Sequence, residues 1–310
     1  MKTRRIGSLE VTVAGVGCNN FGRVIDAPQT EKVVSAALDA GATFFDTADL
    51  YGEGSSEEYL GRALRGRRDR AVIATKFGMM APPEGVKPGS AEWATSSCEK
   101  SLERLGTDFI DLFILHQPDP TTAIGETLFA LGKLVSAGKV REIGCSNFSV
   151  VQIEEASEAA RAAGMHGFAS VQNECSLVHT DDLDTVIPAC VAHNMAYVPF
   201  FPLASGVLTG KYRRTAEPPE GTRLARATPE RRSRYANDRN FDLAERLERF
   251  AADHGHSLHE LALSWLASLP AVAAVIPGAT SPEQVRANAA ATMAWELTRE
   301  ELAQVRSIIA

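Results

Sequence analysis

No apolar run in this 310-residue chain approaches the ~18–20 residues a membrane-spanning helix needs, and the opening MKTRRIGSLEVTV has basic residues but no apolar stretch behind them. Positive charge is not in excess either. A formal net charge of −7 argues against a nucleic-acid binder and gives no support for docking on an anionic membrane, because both need a basic face. Cysteine is sparse: Cys18, Cys98, Cys145, Cys175 and Cys190 are odd in number, widely spaced and free of C-x-x-C. That argues against a disulfide framework or a structural zinc site and fits reduced thiols in a cytoplasmic protein. Internal repeats, low-complexity tracts and linkers are missing too, so residues 1–310 read as one domain.

What the chain has is alternation. Eight short apolar runs follow one another: Val13–Gly17, Ala42–Asp46, Ala71–Lys76, Phe109–His116, Glu142–Ser146, Phe168–Gln172, Ala196–Phe200 and Val272–Pro277. They are rich in Val, Ile and Phe, as strands buried on both faces should be. Amphipathic stretches of helical length lie between most of them. In Gln29–Ala40, Val33, Val34, Ala37 and Leu38 share a face; Ala123–Ala137 aligns Ile124, Leu128, Leu131 and Leu134 and is followed by Gly138 as a C-cap. Further helical pattern covers Phe241–His254, Ser257–Leu269 and Thr298–Ile308. The pattern predicts an α/β fold, a (β/α)8 TIM barrel with C-terminal helices, with an open doubly wound sheet as runner-up. Turn residues between apolar ones before Val13 suggest a hairpin plugging the barrel's far end. Residues 211–240 are the one irregular stretch, broken by Pro218, Pro219, Gly221 and Pro229 and holding nine Arg or Lys against four acidic residues. This stretch reads either as a solvated loop or as a flap over an anionic ligand.

Most runs end in a polar residue: Asp46, Lys76, His116, Ser146 with Asn147, and Gln172. The C-terminal rim of a TIM barrel is where active sites form. On that rim Asp46, Tyr51, Lys76 and His116 make a chemically coherent set. Carbonyl reduction by hydride needs a proton donor for the developing alkoxide, and a tyrosine hydroxyl at its ordinary value of ~10 is a sluggish one. A lysine ammonium ~4 Å away, at an effective dielectric of ~20, stabilises the phenolate by ~4 kcal/mol. Asp46 would keep that lysine charged, and His116 would orient the carbonyl by a hydrogen bond. Taken singly, each residue has an ordinary structural reading; taken together at one rim, they point to catalysis.

The local strings FFDTADLYG (44–52), ATKFG (74–78), LHQPD (115–119), GCSNF (144–148), VQNECSL (171–177), PLASGVLTGKY (202–212) and IPGATSPEQVRAN (276–288) closely resemble the aldo-keto reductases, in order and over nearly the whole length. The likeness is nearest to the branch holding potassium-channel β-subunits and bacterial aldehyde or sugar reductases. It implies a (β/α)8 barrel with an Asp, Tyr, Lys, His tetrad at Asp46, Tyr51, Lys76 and His116. It further implies an NADPH-dependent reductase of a small carbonyl substrate, with no metal. Ser146, Asn147 and Gln172 would hold the nicotinamide carboxamide. Pro202, Leu203, Ser205 and Gly206 would line the pyrophosphate, with Lys211 and Arg223 clasping the phosphates. Gly278, Thr280, Gln284 and Asn288 would surround the adenosine end. This family binds its dinucleotide without G-x-G-x-x-G, which fits Gly15, Gly17 and Asn20 in place of that fingerprint.

Three departures from the family pattern stand out, at four positions. Cys175 stands where most members carry a tyrosine stacked on the nicotinamide, so either the cofactor binds more weakly or Phe201 substitutes. Phe201 itself replaces a frequent serine. Gly278 and Gln284 occupy sites where some branches grip the 2′-phosphate with Lys and Arg, so NAD stands as the alternative cofactor. Alternative functions are an NAD-dependent sugar or alcohol dehydrogenase, a cofactor-bound regulatory subunit with little turnover, and a Schiff-base aldolase using Lys76. His254, His256 and His259 read as structural rather than as a metal site. Asn19, Asn20, Phe21, Trp93 and Gln117 are expected at the substrate pocket, whereas the substrate and the oligomeric state are not legible.

Overall fold

A computed structural model describes residues 1–310. β1 (Thr3–Ile6) and β2 (Leu9–Thr12) form an antiparallel hairpin. β3 (Gly15–Gly17), β4 (Phe44–Asp46), β5 (Val72–Phe77), β6 (Ile110–Leu115), β7 (Val140–Ser146), β8 (Ser170–Gln172) and β9 (Ala196–Tyr197) lie side by side in chain order, all parallel. The eighth apolar run closes the ring through single bridges rather than a continuous ladder. Tyr197 bridges to Val272, Ala14 to Val275 and Gly17 to Gly278. The amides of Gly15 and Gly17 donate to Val275 and Pro277 at 2.9 and 3.1 Å, and that of Tyr197 to Ala271 at 2.7 Å. This is the (β/α)8 barrel the alternation predicts. The last two runs pair less regularly than expected because Pro199 and Pro277 lack the N–H a ladder needs.

Helices follow the strands. Ala27–Asp39 starts two residues earlier than its apolar pattern, because Asp26 caps it and Pro28 suits its first turn. Ile124–Ser136 ends as read, with Gly138 at φ +73° just beyond. The C-terminal helices are Asp238–Asp253, Leu258–Ser268, Pro282–Thr292 and Arg299–Ile309. Within the basic stretch, Pro229 opens a short helix, Pro229–Tyr235, capped by Thr228, rather than breaking one.

The barrel separates two apolar cores. Ile73, Phe77, Phe113 and Leu115 join the large one between strands and helices. The inner core combines Phe44, Ala74, Leu112, Ile114, Val198 and Ile276 with Ile6, Leu9 and Val11 of the hairpin, which therefore plugs the barrel as expected. The plug is latched to β7. Ser8 N donates to Glu142 at 2.7 Å, and His166 Nε2 lies 3.0 Å from the other carboxylate oxygen. Gly7, at φ +55°, faces this carboxylate so closely that a Cβ would lie 2.5 Å from it. All five cysteines are buried and unpaired, and no helix is long and apolar enough to cross a membrane.

Candidate active site

Strand periodicity aims the polar rim residues inward. Phe44, Ala74 and Ile114 belong to the inner core. Two positions further along their strands, on the same face, stand Asp46, Lys76 and His116. The strands are also staggered. Asp46 is level with Ala74, and Lys76 is level with Ile114, so the three side chains climb around the rim. Gly144 to Ser146 and Ser170 to Gln172 repeat the step on β7 and β8. Tyr51 arrives from the turn after β4. That turn needs Gly52, at φ +59°, where a Cβ would lie 3.2 Å from the backbone of Phe21 and Gly22.

The tetrad converges. Lys76 Nζ donates to Asp46 Oδ2 and to the Thr47 carbonyl, both at 2.7 Å, and stands 3.5 Å from the Tyr51 hydroxyl. Gln172 Nε2 donates to the other Asp46 oxygen at 2.8 Å. The Tyr51 and His116 rings meet edge to face at 6.1 Å. The Lys76 side chain is 0% exposed, so it reaches the rim only through Asp46 and Tyr51. Burial works against its charge, yet Asp46 and Tyr51 hold the ammonium above its ordinary value. A charged, sealed and triply held lysine is a poor nucleophile, which removes the aldolase reading.

One electrostatic expectation needs correcting. Lys76 does draw the Tyr51 phenol down, but burial outweighs it and the Asp46 charge opposes it, so the phenol is held above its usual value. Burial and the Lys76 charge drive the His116 imidazole down to about 3, leaving it neutral, with Nδ1 buried and unpartnered. The set is thus a protonated phenol beside a fixed cation and a neutral imidazole. Sequence reasoning also missed Asp49, which burial and then Glu57 push up to about 7. Glu57 is itself tied to Thr75 at 2.5 Å and Arg104 at 2.6 Å behind the Tyr51 turn.

Asp46, Tyr51 and His116 open onto a cleft of about 910 Å³, which every residue expected to touch the cofactor also lines. Ser146 Oγ donates to the Gln172 carbonyl at 2.6 Å, and Asn147 Nδ2 to the His116 carbonyl at 2.9 Å. Phe201, Ala204 and Ser205 all adopt positive φ, a costly run for residues with a Cβ. The Ala204 and Gly206 amides donate to the Phe201 and Leu203 carbonyls at 2.9 and 2.7 Å, which holds the turn in this form. Ser205 Oγ and Asn19 Oδ1 are buried in this cleft without a partner, and with Lys211 and Arg223 in the same lining they fit an extended ligand carrying both anionic groups and hydrogen-bond donors, such as a dinucleotide. At the far end Gln284 Oε1 accepts from the Thr280 amide at 2.8 Å, and Asn288 Oδ1 lies 2.9 Å from His259 Nε2.

Not every expected pocket residue arrives. Asn19 and Asn20 line the cleft, but Phe21 and Trp93 pack into the apolar core and Gln117 stays outside. Leu50, Met79 and Phe200 line it instead. Cys175 is also absent from the cleft, being packed in the outer core. The histidine cluster disperses. His254 bonds the Phe250 carbonyl, His256 stacks on Trp295 at 4.3 Å, and only His259 reaches the cleft. Arg23, Arg226 and Arg231 line the cleft unannounced by any motif.

A sequence model described as the Aldo/keto reductase family matches residues 14–310. A probable aldo-keto reductase 1 from Glycine max is 33% identical over 303 residues, covering 96% of this chain and 85% of the relative. A probable voltage-gated potassium channel subunit beta from Arabidopsis thaliana is 32% identical, covering 86% and 83%. Among solved structures, a glycerol dehydrogenase from Gluconobacter oxydans superposes with a TM-score of 0.83 at 29% identity, covering 99% of this chain and 95% of that one.

Proposed function

Because the chain belongs to the aldo/keto reductase family, we propose that residues 1–310 act as one barrel domain that reduces an aldehyde or ketone with NADPH, Tyr51 serving as general acid. The observation that carries this reading is Tyr51 OH at 3.5 Å from a Lys76 ammonium fixed by Asp46, on a cleft fitted to a dinucleotide. When bound, the cofactor supplies the hydride. Tyr51 gives its proton to the carbonyl oxygen as charge develops there, and Lys76 stabilises the phenolate left behind. His116, neutral at working pH, donates a hydrogen bond that orients the carbonyl. Asp46 holds Lys76 and is itself held by Gln172.

The amide oxygens of Asn147 and Gln172 take no partner within the protein and would accept from the carboxamide, with Ser146 bracing both residues. The turn of Pro202, Leu203, Ser205 and Gly206 would receive the pyrophosphate with Lys211 and Arg223. Gly278, Thr280, Gln284 and Asn288 would hold the adenosine end, and Phe201 would pack toward the nicotinamide. The test is Tyr51→Phe, followed by loss of NADPH absorbance over a carbonyl panel. Turnover should fall by ~10²–10⁴-fold while NADPH affinity stays within about twofold; equal loss of both would refute the assignment.

A second reading takes the same chemistry backwards, oxidising an alcohol, and is favoured by the likeness to a glycerol dehydrogenase. Dissociation constants for NADPH and NADH, with initial rates in both directions, separate the two. A cofactor-bound subunit without turnover would bind NADPH and leave the whole panel untouched. A cytoplasmic location is part of the proposal.

A further inference from the structure

The nine basic residues of 211–240 divide by their partners. Arg213 pairs with Glu248, Arg214 with Asp238, Asp242 and Glu245, Arg232 with Glu217, and Arg234 with Glu174. Arg239 is neither paired nor in the cleft. Lys211, Arg223, Arg226 and Arg231 have no carboxylate at ion-pair distance, and these four line the cleft. The same segment neutralises four of its five outward cations and leaves its inward ones bare.

Position separates the bare cations further. Lys211 acts electrostatically on His259, which bonds Asn288 at the adenosine end. Arg223 instead feels Arg231, Tyr235, Arg23 and the Tyr51 phenol, the surroundings of the hydride end. The Arg223 and Arg231 guanidiniums both lie over the Phe201 ring, at 5.0 and 4.9 Å. Arg231 rides on the helix Pro229–Tyr235, which is pinned to the rim just past Gln172. Tyr235 OH donates to Glu174 at 2.7 Å and Arg234 Nη2 at 2.5 Å. Arg231 Nε and Nη2 are sealed from solvent with no acceptor. Buried donors on a charged group are costly to leave unpaired, and burial with the Arg231 charge brings Arg223 down to about 10. With Arg223 given to the pyrophosphate, a second anion against Arg231 Nε and Nη2 would satisfy the donors left bare.

We infer that Arg231 is an anion-recognition site for the substrate, so that the reacting carbonyl belongs to a molecule also carrying a carboxylate or phosphate. The inference rests on the carbonyl-reductase reading above and names its substrate class. Guanidinium forks favour these groups because they present parallel N–H donors to paired oxygens.

The test uses the NADP-loaded protein, with Arg231→Gln and Arg231→Lys as variants. Calorimetry with succinate, glycerol phosphate and the neutral butanamide reads binding without turnover. The anions should bind the wild type and butanamide should not. Arg231→Gln should weaken anion binding on the order of 10–100-fold, Arg231→Lys should restore part of it, and the NADPH dissociation constant should move by less than twofold. In turnover, the kcat/KM ratio of 4-oxobutanoate or glyceraldehyde phosphate to butanal should fall by a similar factor in Arg231→Gln; the anion that loses more names the group. Weakened NADPH binding with unmoved anion binding would hand Arg231 to the cofactor and overturn the inference, as would equal losses for charged and neutral aldehydes. Failure of the reductase reading looks different: no aldehyde is turned over, and the calorimetry still decides the role of Arg231.

Discussion

Lys76 Nζ lies 3.5 Å from the Tyr51 hydroxyl, and nevertheless the phenol sits above its ordinary value, because burial outweighs the neighbouring charge. A raised phenol stays protonated through neutral pH and is therefore poised to donate, the form that reduction uses. We expect reductive kcat to stay level across neutral and mildly alkaline pH and to fall only as pH passes above ~10. Lys76→Met removes the one charge that eases proton release, and kcat should drop ~10²–10⁴-fold. Rate against pH for both proteins checks this; an alkaline fall beginning near pH 8 in the wild type would contradict it.

The Asp46–Lys76 pair is almost completely sealed, with side-chain exposures of 4% and 0%. Breaking it on one side strands a buried charge. Asp46→Leu should destabilise the fold by about 3–5 kcal/mol, whereas the double variant Asp46→Leu, Lys76→Met should recover most of that loss. Urea midpoints for the three variants decide. A double variant as unstable as the single one would mean that packing, not charge, dominates here.

His116 supplies an acid-side prediction. Its folded value of about 3 lies below the ~6.5 of an unfolded histidine, so the unfolded chain takes up the proton first. Stability from this source is intact above pH ~6.5 and declines as pH falls toward 3, by up to ~1.4 kcal/mol per pH unit. Urea midpoints between pH 4 and 6 should fall less steeply in His116→Gln than in the wild type. Parallel slopes would argue against a neutral, buried imidazole.

The hairpin plug is open to a steric test. Gly7→Ala puts a Cβ 2.5 Å from the Glu142 carboxylate at a positive φ, so it should destabilise by ~1–3 kcal/mol in a urea melt. Removing the obstacle in Gly7→Ala, Glu142→Ala recovers none of the latch that Ser8 and His166 make. The double variant should therefore stay below the wild type.

At the proposed adenosine end, the Lys211 charge acts on His259, which bonds Asn288. Lys211→Met should weaken NADPH binding about tenfold and flatten its salt dependence, as loss of a single phosphate contact would. Fluorescence titration at two ionic strengths reads both effects.

Much of this was legible beforehand, for physical reasons. Strands buried on two faces must be apolar throughout, so a polar residue at a strand's end advertises itself, as Asp46, Lys76, His116 and Gln172 do. Glycine at 138 and the apolar stripe at 124, 128, 131 and 134 marked a helix and its end in the same local way. What stayed hidden depends on pairing across sequence. Arg231 is chemically indistinguishable from Arg232 in the sequence; only the fold shows that Glu217 neutralises one and that nothing neutralises the other. Phe21, Trp93 and Gln117 were misassigned because position near a motif does not reveal which way a side chain turns. The Tyr51 shift was misjudged because distance to a cation was counted without the cost of burial.

The inward facing of Asp46, Lys76 and His116 depends on counting by twos from Phe44, Ala74 and Ile114. Deleting one residue upstream within β5 would swap odd for even along the strand, sending the ammonium out among the helices and bringing Phe77 into the mouth. Loops beyond the rim can lengthen or shorten over generations without that penalty. The barrel thereby divides its own sequence into stretches where length may drift and three short ones where parity is part of the chemistry.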